Sequence, residues 1–142
     1  MRLAALLVAA AAFSGAAWAQ QEKTVGGLTV NLGLMPAEQA VHAEGHRDAH
    51  PATFPSGSQH VLITLAEARG GKRIADAAVV VQVRDPRGAV VEKSLLHTQA
   101  AGQPDYSELF VFGWSGKYSL RVRVTPPGAK AVETRFVVEH RI

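Results

Sequence analysis

Lys117-Tyr118-Ser119-Leu120-Arg121-Val122-Arg123-Val124 alternates polar and apolar side chains at every step. An extended strand turns successive side chains to opposite faces, so this spacing sends Tyr118, Leu120, Val122 and Val124 to one side and the polar four to the other. The same period recurs upstream, where Leu28, Val30, Leu32 and Leu34 alternate with Thr29, Asn31 and Gly33. It recurs downstream, where Val132, Thr134, Phe136 and Val138 alternate with Glu133, Arg135, Val137 and Glu139. One apolar face and one polar face per strand is the signature of antiparallel sheets with one side in water. Segments 60–67, 78–84, 89–96 and 106–112, rich in Val, Leu, Ile or Phe, read as further strands.

Turn-forming residues separate these segments. Gly70-Gly71 permits a tight reversal, and Asp85-Pro86-Arg87-Gly88 fits a type I turn with proline at its second position. Trp114-Ser115-Gly116 and Pro126-Pro127-Gly128 act alike. The pattern predicts an all-β fold, an immunoglobulin-like antiparallel β-sandwich of about seven strands with a long loop after the first strand. At 142 residues with no visible repeat, the chain has room for one such domain.

The amino terminus reads differently. Sixteen of the first nineteen residues are apolar, Arg2 supplies a positive start, and Ala17-Trp18-Ala19 gives a small-x-small pattern. These features predict a secretory signal peptide over residues 1–19, cleaved before Gln20, a single domain over 20–142 and a periplasmic location. The apolar run is short for a membrane span, and nothing later in the sequence is long or apolar enough to be one. The chain has no cysteine, which removes disulfides, thiolate metal sites and thiol catalysis. Its formal charge is +3; without Arg2 it carries 14 basic against 12 acidic side chains. The basic residues are scattered, Arg121 and Arg123 merely alternating along a strand, and no basic stripe with interleaved aromatics points to nucleic acid.

Between Met35 and Ser58 the strand period stops for 24 residues, which hold three of the six histidines. Pro36 is placed to open a short helix over residues 37–44 that Gly45 ends. Long insertions in compact domains are usually functional or disordered. His42, His46 and His50 follow at intervals of four. Imidazole nitrogens are good ligands for copper, zinc and nickel. On a straight helix His42 and His50 would stand roughly 12 Å apart along the axis, too far to share an ion, so a break at Gly45 would be needed to bring a third ligand inward. Met35 adds a thioether at a strand end, and His60 lies just past the loop. A His and Met set without cysteine favours copper, whose reduced form accepts thioethers; with Glu38, Glu44 or Asp48 in place of the thioether, zinc or nickel fits as well. The candidate metal ligands are therefore His42, His46, His50, Met35 and His60, set against a solvated loop with no fixed ligand and a methionine that only packs. His97 and His140 read as exposed and uninvolved. No Gly-x-Ser-x-Gly elbow, serine triad or phosphate-cradling loop is present, so enzymatic activity is not expected.

Two resemblances bear on this reading. Gly71-Lys72-Arg73-Ile74-Ala75-Asp76-Ala77 before a valine strand, then Asp85-Pro86-Arg87-Gly88 and Gly116-Lys117-Tyr118-Ser119-Leu120, resemble the YtkA-like and FixH-like exported β-sandwich domains over residues 61–138. That likeness implies copper handling or respiratory oxidase assembly. Gly27-Leu28-Thr29-Val30-Asn31-Leu32-Gly33-Leu34-Met35-Pro36-Ala37-Glu38 with a histidine-bearing loop is similar to a set of uncharacterised periplasmic proteins. In those a Met-His pair is expected late in the loop, where this chain reads His50-Pro51-Ala52-Thr53-Phe54-Pro55. The function expected is a periplasmic, non-enzymatic carrier of a transition metal, with copper favoured and zinc possible. It would pass its ion to a membrane or secreted cuproprotein or to a permease. The alternative is a metal-free envelope interaction module, or an accessory subunit of a membrane transport or respiratory complex, docking through a sheet face or edge.

Overall fold

The structure, a computed structural model, describes residues 19–39, 54–100 and 103–142. Nine strands follow one another: β1 (Ala19–Val25), β2 (Leu28–Pro36), β3 (Ser58–Glu67), β4 (Ala78–Arg84), β5 (Val90–Ser94), β6 (Leu96–Ala100), β7 (Gln103–Val111), β8 (Gly116–Thr125) and β9 (Val132–His140). They form a five-stranded sheet in the order β1-β2-β3-β7-β6 and a four-stranded sheet in the order β5-β4-β8-β9, every pairing antiparallel. The expected β-sandwich is thus present, with nine strands in place of about seven.

The two additional strands have distinct causes. β1 reads Ala-Gln-Gln-Glu-Lys-Thr-Val and has no apolar alternation, because it is an edge strand whose side chains largely face water. A Gly26-Gly27 turn with both φ angles positive joins it to β2, a conformation that glycine adopts without steric cost. β6 comes from the expected 89–96 strand, which does not run through. It stops at Ser94, Leu95 buries itself in the core while its N–H donates to the Val79 carbonyl (2.8 Å), and Leu96 resumes in the opposite sheet. The long loop consequently follows the second strand rather than the first.

Alternation packs the core. Val30, Leu32, Val61, Ile63 and Leu65 of one sheet meet Val81, Leu120, Val122 and Phe136 of the other, all at most 1% exposed. Full burial of each such side chain contributes about 1.5–3 kcal/mol. Two tyrosines pin connecting segments to this core. Tyr106 Oη accepts from Ala77 N–H (3.0 Å) and donates to the Ile74 carbonyl (2.9 Å). Tyr118 Oη accepts from Trp114 N–H (3.0 Å) and donates to the Trp114 carbonyl (2.8 Å). Side chains also bridge the sheets along both open seams. On one, Gln21 Nε2 donates to the Val137 carbonyl (2.8 Å) and Lys23 Nζ to that of Arg135. On the other, Lys93 Nζ donates to the Leu109 carbonyl (2.6 Å). The Asp85–Gly88 turn forms as expected, Gly88 N–H donating to the Asp85 carbonyl (3.0 Å) and Asp85 Oδ1 accepting from Arg87 and Ala89.

Candidate metal centre

β2 begins by alternating buried and half-buried residues, then buries Leu32, Gly33, Leu34 and Met35 in succession. Leu34 faces the core between the sheets, so Met35, one residue on, points to the outer face of the five-stranded sheet. Met35 is nevertheless only 4% exposed. β3 supplies its neighbour: Met35 is paired across the ladder with His60, as Leu34 is with Val61. Directly opposed antiparallel residues share a face, with Cβ atoms about 4.5–5.5 Å apart. A buried thioether and a half-buried imidazole therefore lie side by side on the outer face, with Leu109 of β7 flanking the histidine.

The register that achieves this is held where the chain re-enters the sheet. Ser58 N–H and Oγ both donate to the Pro55 carbonyl (3.1 and 2.7 Å), closing a turn. Gly57 sits at φ 81° with its carbonyl accepting from Phe112 N–H (2.8 Å); a Cβ there would come within 2.5 Å of the Phe112 carbonyl oxygen. Only glycine suits that approach.

Of the five ligands expected from the sequence, Met35 and His60 are brought together. His42, His46 and His50 lie outside the described residues, as do Glu44 and Asp48. Residues 37–39 begin the expected helix, with Glu38 exposed, and its continuation also lies outside them. Among the described residues no three His, Asp or Glu side chains are grouped closely enough to hold an ion.

His140 departs from its expected exposed position. It ends β9 half-buried, its ring edge-on to Phe112 (centroids 5.6 Å, 83°) and Tyr118 (6.0 Å, 88°), which stack on each other at 4.2 Å. Burial pushes its pKa below the usual histidine value, opposed by a backbone hydrogen bond at Phe112. Leu34, Pro36, Gln59, Phe112 and Val138 line a cavity of about 250 Å³ with it. Leu34, Pro36 and Gln59 belong to the inward-facing set of β2 and β3, whereas Met35 and His60 belong to the outward set. The ends of these two strands thus separate the imidazole of His140 from that of His60. His97 is exposed, as expected, its ring 5.4 Å from that of Tyr106.

A polar site that the sequence did not reveal lies further along the outer face. Asp105 of β7 is 7% exposed, and its Oδ1 lies 3.4 Å from Arg73 Nη1. Burial raises the carboxyl's pKa, against the lowering influence of Arg73 and then His97. Arg73 reaches this position because it bridges β3 at Ala66, beyond the point where β7 stops pairing with that strand. It borders a cleft of about 280 Å³ with Gln20, Asn31, Gly33, Leu62 and Thr64.

No known family model matches the chain, and no curated protein matches it in sequence. Solved structures do match in fold. A DUF4426 family protein from Pseudomonas aeruginosa superposes with a TM-score of 0.66 at 18% identity, covering 85% of this chain and 94% of its own. FetP of uropathogenic Escherichia coli strain F11 gives 0.67 at 13% identity, covering 89% and 97%. Copper-reconstituted P19 from Campylobacter jejuni gives 0.65 at 10% identity, covering 87% and 94%. These likenesses establish a shared sandwich fold over most of each chain.

Proposed function

We propose that this protein is a non-enzymatic, exported carrier of a transition metal, with copper the favoured ion. Met35 and His60 form its fixed half-site, and His42, His46 and His50 supply the remaining ligands from the loop between β2 and β3. The observation that carries the reading is the registered pairing of a buried thioether with an imidazole at the strand ends that bracket the histidine segment. A thioether and imidazoles, with no thiolate in the chain, make a donor set suited to reduced copper. A bound ion would here be cargo, held by side chains and released to a partner. The fold likeness supports the same reading, since FetP was expressed in the periplasm and both FetP and P19 have been crystallised with copper. Export with cleavage before Gln20 fits β1, in which Gln20 already pairs with Gly33.

The test is a competitive titration of copper(I) and copper(II), with zinc as comparison, monitored by histidine and methionine NMR signals. Copper(I) should shift Met35 and His60 together. His60→Ala and a His42→Ala/His46→Ala double variant should each lower the affinity by about tenfold or more. Because imidazoles coordinate only when neutral, affinity should also fall as pH drops below about 6.5. Binding that leaves the Met35 and His60 signals in place would remove the half-site.

A further inference from the structure

The outer face of the four-stranded sheet has no role in the metal reading, and its charges are arranged unusually. By the alternation of β4, β8 and β9, the side chains turned away from the core include Arg84, Lys117, Arg121, Arg123 and Arg135. All five are exposed. Glu92, Glu133 and Glu139 are the acidic members of the same face. Register concentrates the basic charge in its middle. Arg121 of β8 stands directly opposite Arg135 of β9, and Ser119, two residues before Arg121, stands directly opposite Arg84 of β4. Arg135 Nε donates to Ser119 Oγ at 2.9 Å. Three guanidinium-bearing residues from three adjacent strands therefore surround one hydroxyl. Among the described residues, the carboxylate within ion-pair reach of these three is Glu133, 3.9 Å from Arg121 Nε, and both members of that pair are more than half exposed.

Like charges placed directly opposite each other in a ladder oppose folding. Arg121 and Arg135 thus contribute little to the sandwich, and an external anion would relieve their repulsion. The surroundings indicate which anion. The row through Ser119 runs Val90–Arg84–Ser119–Val137 across all four strands, so exposed valines (43% and 49%) flank the arginines at both ends. A level sheet face with guanidiniums at its centre and apolar side chains at its margins matches the headgroup layer of a bilayer. There phosphates meet the charges and the acyl boundary meets the valines.

We propose that this face docks onto an anionic phospholipid surface, Arg84, Arg121 and Arg135 taking lipid phosphates and Val90 and Val137 seating at their edge. The proposal is independent of the metal reading and places the histidine loop on the other sheet, free to face a partner.

The full chain is to be sedimented with vesicles of phosphatidylcholine alone and of phosphatidylcholine with phosphatidylglycerol, at low and high salt. The difference between the two compositions cancels any apolar contribution of residues 1–19. Binding should favour anionic vesicles, weaken with salt, and fall about tenfold or more in an Arg84→Gln/Arg121→Gln/Arg135→Gln variant. An Arg69→Gln/Lys72→Gln/Lys130→Gln variant, losing the same charge from exposed turns, should bind nearly as the parent does; circular dichroism and melting check that both variants fold. Equal loss in the two variants, or equal binding to both vesicle types, overturns the proposal. So does saturable binding of inorganic phosphate or of polyglutamate at Arg121 and Arg135, read from guanidinium NMR signals, by a protein that ignores anionic vesicles.

Discussion

The outer faces of the two sheets differ in how they treat the strand period. On β8 and β9 the alternation holds to the end: inward residues are mostly buried, and outward ones mostly lie in water. On β2 it holds only as far as Leu32, after which Gly33 and Met35, on the outward side, are as buried as the core. A strand that packs against a single partner layer has no reason to hide its outer face. Where it does, that face bears on something other than sheet packing, and at Met35 the ladder adds His60 beside it. The four-stranded sheet shows the converse, a fully solvated face on which like charges are held together without benefit to the fold. Both departures are local, and each marks the place where a function is proposed.

Three measurements sharpen this contrast. The largest effect belongs to Met35. Met35→Ala should lower stability in chemical denaturation by about 2–3 kcal/mol, approaching what Ile63→Ala costs on the inner face, because both positions are buried. Met35→Leu should cost less than about 1.5 kcal/mol. If Met35→Leu nonetheless weakens copper(I) binding, packing and ligation are separated at one position; no change in binding would reduce Met35 to packing alone.

A smaller effect is expected at the other side of the same strand ends. His140 titrates below the usual histidine value because it is partly withdrawn from water. The unfolded chain therefore binds a proton more readily than the folded one, and the sign follows: stability from this group is present above about pH 6.5 and is lost as pH falls through the lower folded value. A series of urea melts between pH 7.5 and 5 should show stability declining over that window, and His140→Gln should flatten the decline. An unchanged slope in the variant would assign the pH dependence to other groups.

The smallest effect is expected at Arg121. Arg121→Gln removes a repulsion from Arg135 and a screened pair with Glu133, so stability should stay within about 0.5 kcal/mol of the parent. A loss well beyond that would show that the arginine face contributes to holding the sheet together.

Much of the fold was legible because it rests on local periodicity. Tyr118, Leu120, Val122 and Val124 declare an inward face without reference to any other strand, and the Asp85–Gly88 turn follows from four adjacent residues. β1 was not legible, since an edge strand with little apolar burial leaves no period to read. Nor was the crossing at Leu95, where one buried residue inside an apolar run changes sheets. Of the candidate site, the residue types and the segment were legible, but their juxtaposition was not. Met35 and His60 are 25 positions apart, and a one-residue change of register would have turned His60 to the core. His140 gave no signal, because its burial depends on Phe112 and Tyr118 closing around it.

The amino-acid order by itself determined an all-β chain with inward rows of Val, Leu and Phe, turns at glycine and proline, and a histidine segment between two strands. Each of these follows from interactions among near neighbours. Tertiary structure alone decided which side chains stand opposite one another: the thioether beside the imidazole, Arg121 facing Arg135, and Arg73 reaching Asp105. Those neighbours come from register between strands distant in sequence, and register is chosen by the burial of the whole inner face at once rather than by the residues it brings together.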